Sequence, residues 1–331
     1  MHILIYGAGT TGCYIAAQCK EAGVQTSLVC RPRIRKDLER SGGLHYSDYT
    51  GRASSVALPS LNTVLPDLSS QHFDLCLVTL KCHQLEGALD DLVQLSNAGC
   101  EMHFLQNGLN AFQQLPQLEH QSNCYSGIIP FNVVTLSEND GIKFHQGTEG
   151  VLQLQSTPLT QRLDAAFQTS NRVLSLYQDI QPVVYGKLLL NLNNAINALS
   201  NMPLKEQLET RRLRLVVAAT MREYLAVCKY RKQSLILSAA IPPALLPAFL
   251  SLPNFIFKRA AKSMLEIDPL ARSSMWEDIQ AGKKTEISFL NGMVVRLAKE
   301  AGISCPANER VCRLIEKLEK GQKVALSELH I

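Results

Sequence analysis

The opening stretch Met1-His2-Ile3-Leu4-Ile5-Tyr6-Gly7-Ala8-Gly9-Thr10-Thr11-Gly12-Cys13 carries the pattern on which the fold turns. The apolar run His2–Tyr6 predicts a short buried strand, and the apolar spacing of 11–22 predicts a helix packed against it. Between them stands GxGxxG, placed directly after the strand and opening the helix. In that setting the first glycine allows a tight turn, the second lets backbone approach a pyrophosphate, and the third lets helix pack on strand. The helix N-terminus attracts the anion. A plain strand-to-helix turn is the simpler reading, but the βαβ context favours a dinucleotide site built from Gly7, Ala8, Gly9, Thr10, Thr11 and Gly12.

Working outward, a second strand is expected at 26–30 and further strands at 74–79 (DLCLVT) and 101–106 (EMHFLQ), with a helical pattern around 85–95 between them. This alternation predicts a parallel, doubly wound sheet. The runs 127–135, 142–145 and 150–155 are expected to extend that sheet in antiparallel fashion. From about Val173 the pattern changes to helical periodicity, over 184–198, 211–230, 255–265, 272–281, 285–301 and 308–320. The expected organisation is an α/β Rossmann-type doubly wound domain over 1–177 and an all-α domain over 178–331. A length of 331 residues suits two such domains.

Apolar residues make up 46% of the chain and charged ones 19%, the profile of a globular protein with a core. The net charge of +4 is spread without long basic tracts, so nucleic acid is not an expected partner. The ten cysteines stand singly, with no CxxC pair and no Cys/His cluster at ligand spacing. Buried thiols in a reducing compartment and no metal are therefore expected. Met1 leads straight into an apolar strand, with no basic leader and cleavage site, which fits a cytoplasmic protein. Residues 234–257 lack charge and are long enough to span a bilayer. Pro242, Pro243, Pro247 and Pro253 would break a lipid-exposed helix, so a buried helix-turn-helix connection is expected there and no membrane role.

The end of the second strand names the cofactor type. An NAD enzyme usually presents Asp or Glu there to the ribose 2′-hydroxyl, whereas a 2′-phosphate needs positive charge. Here the chain reads Cys30-Arg31-Pro32-Arg33-Ile34-Arg35-Lys36, with no carboxylate before Asp37. Arg31 is the expected phosphate clamp, assisted by Arg33 or Arg35. A solvated basic helix start explains Arg35 and Lys36 well and Arg31 poorly.

Several separated motifs then coincide: GAGTTG at 7–12, Arg31, VTLK at 78–81, QNG at 106–108, KLLLN at 187–191, SSMWEDI at 273–279 and TEISFLNG at 285–292. Together they make the chain resemble the ketopantoate reductase family (2-dehydropantoate 2-reductases) over nearly its whole length. The resemblance implies NADPH-dependent reduction of 2-dehydropantoate to pantoate, a step toward pantothenate and coenzyme A, by an oxidoreductase using NADP(H). It implies that Lys81 and Asn107 lie along the nicotinamide edge and that Lys187 donates the proton. It also implies that Asn191 and Ser274 line the substrate site and that Glu286 sits where cofactor and substrate meet. The partner is a small-molecule 2-oxo acid, and the chain is expected as a monomer or homodimer.

The chemistry asks for such groups. Hydride addition to a 2-oxo acid leaves an alkoxide, so an acid must stand within reach of the carbonyl oxygen, and a lysine both stabilises the oxyanion and supplies the proton. Lys187, Asn191 and Asn194 fall at i, i+4 and i+7, on one face of a leucine-rich helix. An interhelical polar stripe would also explain them. Ser274 is read as the N-cap before Met275, holding a substrate carboxylate or only stopping the helix. Glu286 is read near the start of the next helix, and Asp278 as a brace. His83 and His103 are expected at strand ends or on the surface.

The chain departs from the family in two places. Many relatives carry a second asparagine eight residues beyond the lysine, where this chain has Ala195 between Asn194 and Asn197. Residues 127–132 (GIIPFN) replace a segment often rich in threonine, and the prolines of 241–253 are a further peculiarity. A second reading is therefore the same chemistry on another bulky 2-oxo acid. A third is a non-catalytic NADPH-binding regulator, which the retained Lys187 and Glu286 argue against.

Overall fold

The computed structural model describes residues 1–109, 111–138, 141–237, 241–266 and 268–329. The chain divides into two compact units, one formed by Met1–Gln106 with Asn110–Ile180 and the other by Asn107–Leu109 with Gln181–Ile331.

The first unit holds strands β1 (His2–Tyr6), β2 (Gln25–Val29), β3 (Leu44–Ser47), β4 (Ala53–Val56), β5 (Ser60–Asn62), β6 (Leu75–Val78), β7 (Glu101–Phe104), β8 (Cys124–Ile128), β9 (Val133–Glu138), β10 (Gly141–Gln146), β11 (Gln153–Gln155) and β12 (Ser175–Tyr177). Its helices are α1 (Thr10–Glu21), α2 (Pro32–Ser41), α3 (Leu89–Asn97) and α4 (Pro158–Thr169). The main sheet has the order β12-β11-β8-β7-β6-β1-β2-β5. β1 pairs in parallel with both β2 and β6, as the doubly wound pattern predicts. Ile3, Leu4 and Ile5 of β1 are wholly buried, the continuous apolar run of a strand covered on both faces.

The stretch after Cys124 departs from the expected antiparallel extension. β8 runs parallel to β7, because the long connection 105–123 carries the chain back before it re-enters the sheet. β11 alone is antiparallel, to β8. β9 and β10 leave the main sheet and join β3 and β4 in a second sheet of order β4-β3-β10-β9. That sheet has its own apolar face, with Phe144 of β10 opposite Tyr46 of β3, and the Tyr46 ring meets Tyr14 of α1 edge-on at 5.6 Å.

The second unit holds helices α5 (Gln181–Asn191), α6 (Asn193–Ser200), α7 (Leu204–Glu209), α8 (Arg211–Tyr230), α9 (Leu246–Leu250), α10 (Asn254–Ala260), α11 (Ser274–Gln280), α12 (Asn291–Ala301) and α13 (Pro306–Glu319). The run expected over 184–198 is two helices that part at Leu192. The helix expected to begin at 285 starts at Asn291, after a 3-10 turn at Ile287–Phe289. Thr285 explains the late start: its N–H and hydroxyl both donate to Glu319 Oε1, at 2.8 and 2.7 Å, which pins the entry to α13.

The apolar segment 234–257 is a set of short turns and helices, with 238–240 outside the described residues. Its burial is partial rather than complete, since Phe255 is 76% and Leu245 58% exposed. What anchors it is Arg214, fully buried on α8. The guanidinium donates to the Leu208, Leu250 and Leu252 carbonyls and to Asn254 Oδ1, and stacks over Phe257 at 4.0 Å. The donors of one cation thus satisfy carbonyls at the ends of α7 and α9, which have no helical partner of their own. No described helix is long and apolar enough to cross a membrane.

Candidate functional site

In the first unit the glycine-rich turn is assembled from backbone. Gly7 adopts φ +119°, a region that only glycine enters without strain. A Cβ on Gly12 would collide with the Gly7 carbonyl oxygen and stand 2.6 Å from the Thr79 hydroxyl, so the third glycine is what lets α1 approach β1. A Cβ on Gly9 would meet nothing within 4 Å. Gly9 is the N-cap of α1, with no side-chain cap and no acid in the first turn. The first N–H groups of α1 therefore have no side-chain cap and begin beside an unhindered Gly9, which fits a pyrophosphate. Ala8, Thr10 and Thr11 complete the turn.

Thr79, in the VTLK motif but without an expected role, fastens this turn. Its hydroxyl donates to the Gly7 carbonyl at 2.5 Å and its N–H to the Tyr6 carbonyl at 3.0 Å. Gln106 plays a similar part for the motif itself, donating to the Val78 and Leu80 carbonyls, both at 2.9 Å. Lys81 caps the short turn Cys82–Gln84 and is half-buried.

Arg31 stands exposed as the N-cap of α2, at the C-terminal end of β2 where a dinucleotide ribose is bound in folds of this class. Arg35 is engaged with Glu39 at 2.7 Å and Arg33 approaches Asp37 at 3.9 Å. Among the described residues Arg31 has no carboxylate partner, so its charge is available to a ligand at the end of β2. The thiols nearest this corner are poor nucleophiles: burial pushes Cys13 up to about 12 and Cys30 upward.

In the second unit three of the expected site residues converge. The Asn107 amide donates to Glu286 Oε2 at 2.9 Å, and the Asn191 amide donates to Asn107 Oδ1 at 3.4 Å. An ionised carboxylate accepts only, so Glu286 fixes which end of the Asn107 amide faces which neighbour. Gly108 makes the approach possible, with φ +93° and a Cβ position 2.5 Å from the Phe289 carbonyl oxygen. Half-buried Lys187 lies one helical turn before Asn191 on α5. The preceding Gly186 could not carry a Cβ, which would strike the Ile236 carbonyl.

Asn194 and Ser274 are placed differently from each other. Asn194 is half-buried on α6, and its carbonyl accepts from the Ser273 hydroxyl at 3.0 Å. Ser273, not Ser274, is the N-cap of α11: its hydroxyl accepts from the Trp276 N–H at 3.3 Å and its own N–H donates to Asn197 Oδ1 at 2.9 Å. Of two adjacent serines the buried one caps, and Ser274 is left exposed. Asn197, fully buried, also donates to the Met202 carbonyl and to Gln207. Ala195 is fully buried beside it.

His103 is neither at a strand end nor on the surface. It lies within β7 at 0% exposure, with Nε2 on Glu101 Oε1 at 2.9 Å and Nδ1 without a partner among the described residues. Burial lowers its pKa, and it is shut inside the sheet. His83 is exposed in the turn after Lys81. Among the described residues no group of three or more His, Cys, Asp or Glu could hold a metal ion.

Comparison with known proteins agrees over the whole length. The family model described as ketopantoate reductase PanE/ApbA matches residues 3–158, and its C-terminal counterpart matches 159–319. A 2-dehydropantoate 2-reductase of Vibrio cholerae is 24% identical over 330 residues, covering 97% of this chain and 98% of that one. Among solved structures, a PanE/ApbA family ketopantoate reductase from Ralstonia eutropha superposes with a TM-score of 0.76 at 23% identity, over 98% of this chain and 100% of that one. A D-mandelate dehydrogenase solved with NADH and anilino(oxo)acetate gives a TM-score of 0.78 at 21% identity, with the same coverage. At such identities the structural likeness speaks for the fold.

Proposed function

This chain belongs to the ketopantoate reductase family, and from that premise we propose that it reduces 2-dehydropantoate to pantoate with NADPH. The observation that carries this reading is the hydrogen-bonded group Asn191–Asn107–Glu286 with Lys187 one turn away on the same helix. A polar chain of this kind, oriented by a carboxylate, suits a site that must hold a small polar substrate and move one proton.

In this reading the backbone of Gly7, Gly9 and Gly12 and the start of α1 hold the pyrophosphate, with Ala8, Thr10 and Thr11 shaping the turn. Arg31 makes charge-assisted bonds to the 2′-phosphate. Lys81 and Asn107 line the nicotinamide edge. NADPH, when bound, supplies the hydride. Asn191, Asn194 and Ser274 orient the 2-oxo acid, and the Lys187 ammonium faces the carbonyl oxygen. As negative charge develops there, Lys187 stabilises it and gives up one Nζ proton to form the alcohol, then regains a proton from solvent.

A second reading, another bulky 2-oxo acid as substrate, is favoured by Ala195. Where many relatives place a second asparagine, this chain has a fully buried methyl group that offers no hydrogen bond. The D-mandelate dehydrogenase of the same fold was solved with a different oxo acid analogue.

The test is a panel of 2-oxo acids assayed with NADPH and with NADH, on the unmodified protein and on Lys187→Ala. Turnover of 2-dehydropantoate with a preference for NADPH is expected. Lys187→Ala should lower kcat by about 10²–10⁴, the range for a positioned general acid, with NADPH binding retained. A mutant within threefold of the unmodified enzyme removes Lys187 from the proton step. Another 2-oxo acid reduced a hundredfold more efficiently establishes the second reading.

A further inference from the structure

The second sheet lies across α1, and its cross-strand register says where each strand meets the helix. Directly paired residues on neighbouring strands share a face. Thr135 of β9 pairs with Phe144 of β10, and Phe144 pairs with Tyr46 of β3. Phe144 and Tyr46 are buried, and the Tyr46 ring contacts Tyr14, in the middle of α1. The row Tyr46–Phe144–Thr135 thus runs along α1 toward its N-terminus. Val133, two residues before Thr135 and on the same face, packs against the core, Val134 and Leu136 lie on the other face at 38% and 40% exposure, and Thr135 stands exposed where the row leaves the core. At the end of the row the apolar side chain is replaced by a hydroxyl. Thr135 Oγ1 lies 3.0 Å from Thr10 Oγ1, the first residue of α1, across 125 positions of sequence.

We propose that Thr135 is a positioning residue for the dinucleotide: from the second sheet it fixes the Thr10 hydroxyl as a donor to the pyrophosphate. A threonine hydroxyl carries one proton and accepts at two lone pairs. When Thr135 donates to Thr10 Oγ1, the Thr10 proton is left for an acceptor on the open side of the turn, where Gly9 leaves room. The second sheet thereby acts on cofactor affinity, which neither the glycine spacing nor Arg31 accounts for. This inference rests on the NADPH reading above.

The test is fluorescence titration of NADPH and, separately, of 2′-AMP, which carries the 2′-phosphate but no pyrophosphate. Thr135→Val keeps the side-chain shape and removes the hydroxyl. It should raise the NADPH Kd about tenfold, the worth of one hydrogen bond to a charged group, and leave 2′-AMP unchanged. Thr10→Val should do the same, the double variant should be no weaker than either single one, and Thr135→Ser should bind as the unmodified protein does. NADPH binding by Thr135→Val within twofold of the unmodified protein would overturn the inference, as would equal weakening of 2′-AMP or additive effects of the two variants. In each of those cases the NADPH reading stands. Failure of the folded, unmodified protein to bind NADPH at all would overturn both.

Discussion

Two helix N-termini in this chain face the same electrostatic problem and solve it in opposite ways. Both α1 and α13 begin with N–H groups that no helical carbonyl can pair and with the positive end of a helix dipole. At α13 the chain brings its own anion. Glu223 of α8 accepts from the Ala307 N–H at 2.7 Å, the Asn308 N–H at 2.9 Å, the Asn308 side chain at 2.7 Å and the Cys305 thiol at 3.2 Å. Burial, and then Glu223 itself, push the Cys305 thiol upward, so it stays protonated and donates. At α1 no side chain caps the helix and no acid lies in the first turn. A terminus that serves only the fold is closed from within, whereas the one left open beside a bare glycine is, under the proposed function, the place for the anion of the cofactor.

The largest expected effect breaks the closed terminus. Glu223→Ala removes the acceptor of four part-buried donors, and each buried donor left unpaired costs about 1–3 kcal/mol. With partial access to water, the net loss should be about 3 kcal/mol in a denaturant titration, because unpaired donors can recruit solvent. NADPH affinity of the folded variant should be unchanged. A loss below about 0.5 kcal/mol would mean that α13 does not depend on the carboxylate.

The converse experiment supplies an anion to the open terminus. Gly9 has φ −72° and ψ 175°, extended backbone that aspartate adopts freely, and there is space for the side chain. Gly9→Asp adds a favoured N-cap and should leave stability equal or higher by up to about 1 kcal/mol. The carboxylate would then occupy the place of the phosphate, and like charges brought together cost several kcal/mol, so the NADPH Kd should rise about a hundredfold. Unchanged NADPH affinity would show that the pyrophosphate lies elsewhere.

The same contrast explains what could be read in advance. The open terminus is a local object: three glycines, a strand and a helix within the first 21 residues, each with a conformational reason visible in its spacing. Strands β1, β2, β6 and β7 and the long helix Arg211–Tyr230 were legible for the same reason, as continuous apolar runs or regular periodicity. The closed terminus is not local. Nothing in 305–308 announces that Glu223 will cap it, and nothing in 133–146 shows that these strands pair with 44–56 rather than with the main sheet. Short strands that carry few residues of each period leave their partners to tertiary packing. Thr79 and Thr135 act through hydroxyls on backbone or on another hydroxyl far along the chain, a contact with no sequence signature. In the polar group, Asn107, Asn191 and Glu286 each stand in a separate sequence motif, while their hydrogen bonds to one another emerge only from the fold.

The smallest expected effect tests whether α11 sides with the closed terminus or the open one. Its first turn is capped by Ser273, whose hydroxyl accepts from the Trp276 N–H and donates to the Asn194 carbonyl, so both capacities are used inside the unit. Ser274, the next residue, is exposed. Loss of a serine cap costs about 1 kcal/mol. Ser273→Ala should therefore lower stability by about that much, and, since α6 carries Asn194 at the same joint, it should loosen substrate binding only modestly. Ser274→Ala should leave the melting temperature alone, because no cap is lost, and should raise KM for the 2-oxo acid while kcat and the NADPH Kd stay put. Thermal melts and initial-rate kinetics on the two single variants separate these outcomes. If Ser274→Ala is the variant that melts early and Ser273→Ala the one that raises KM, then the cap and the substrate contact have been assigned to the wrong members of the pair, and α11 is closed by its outer serine.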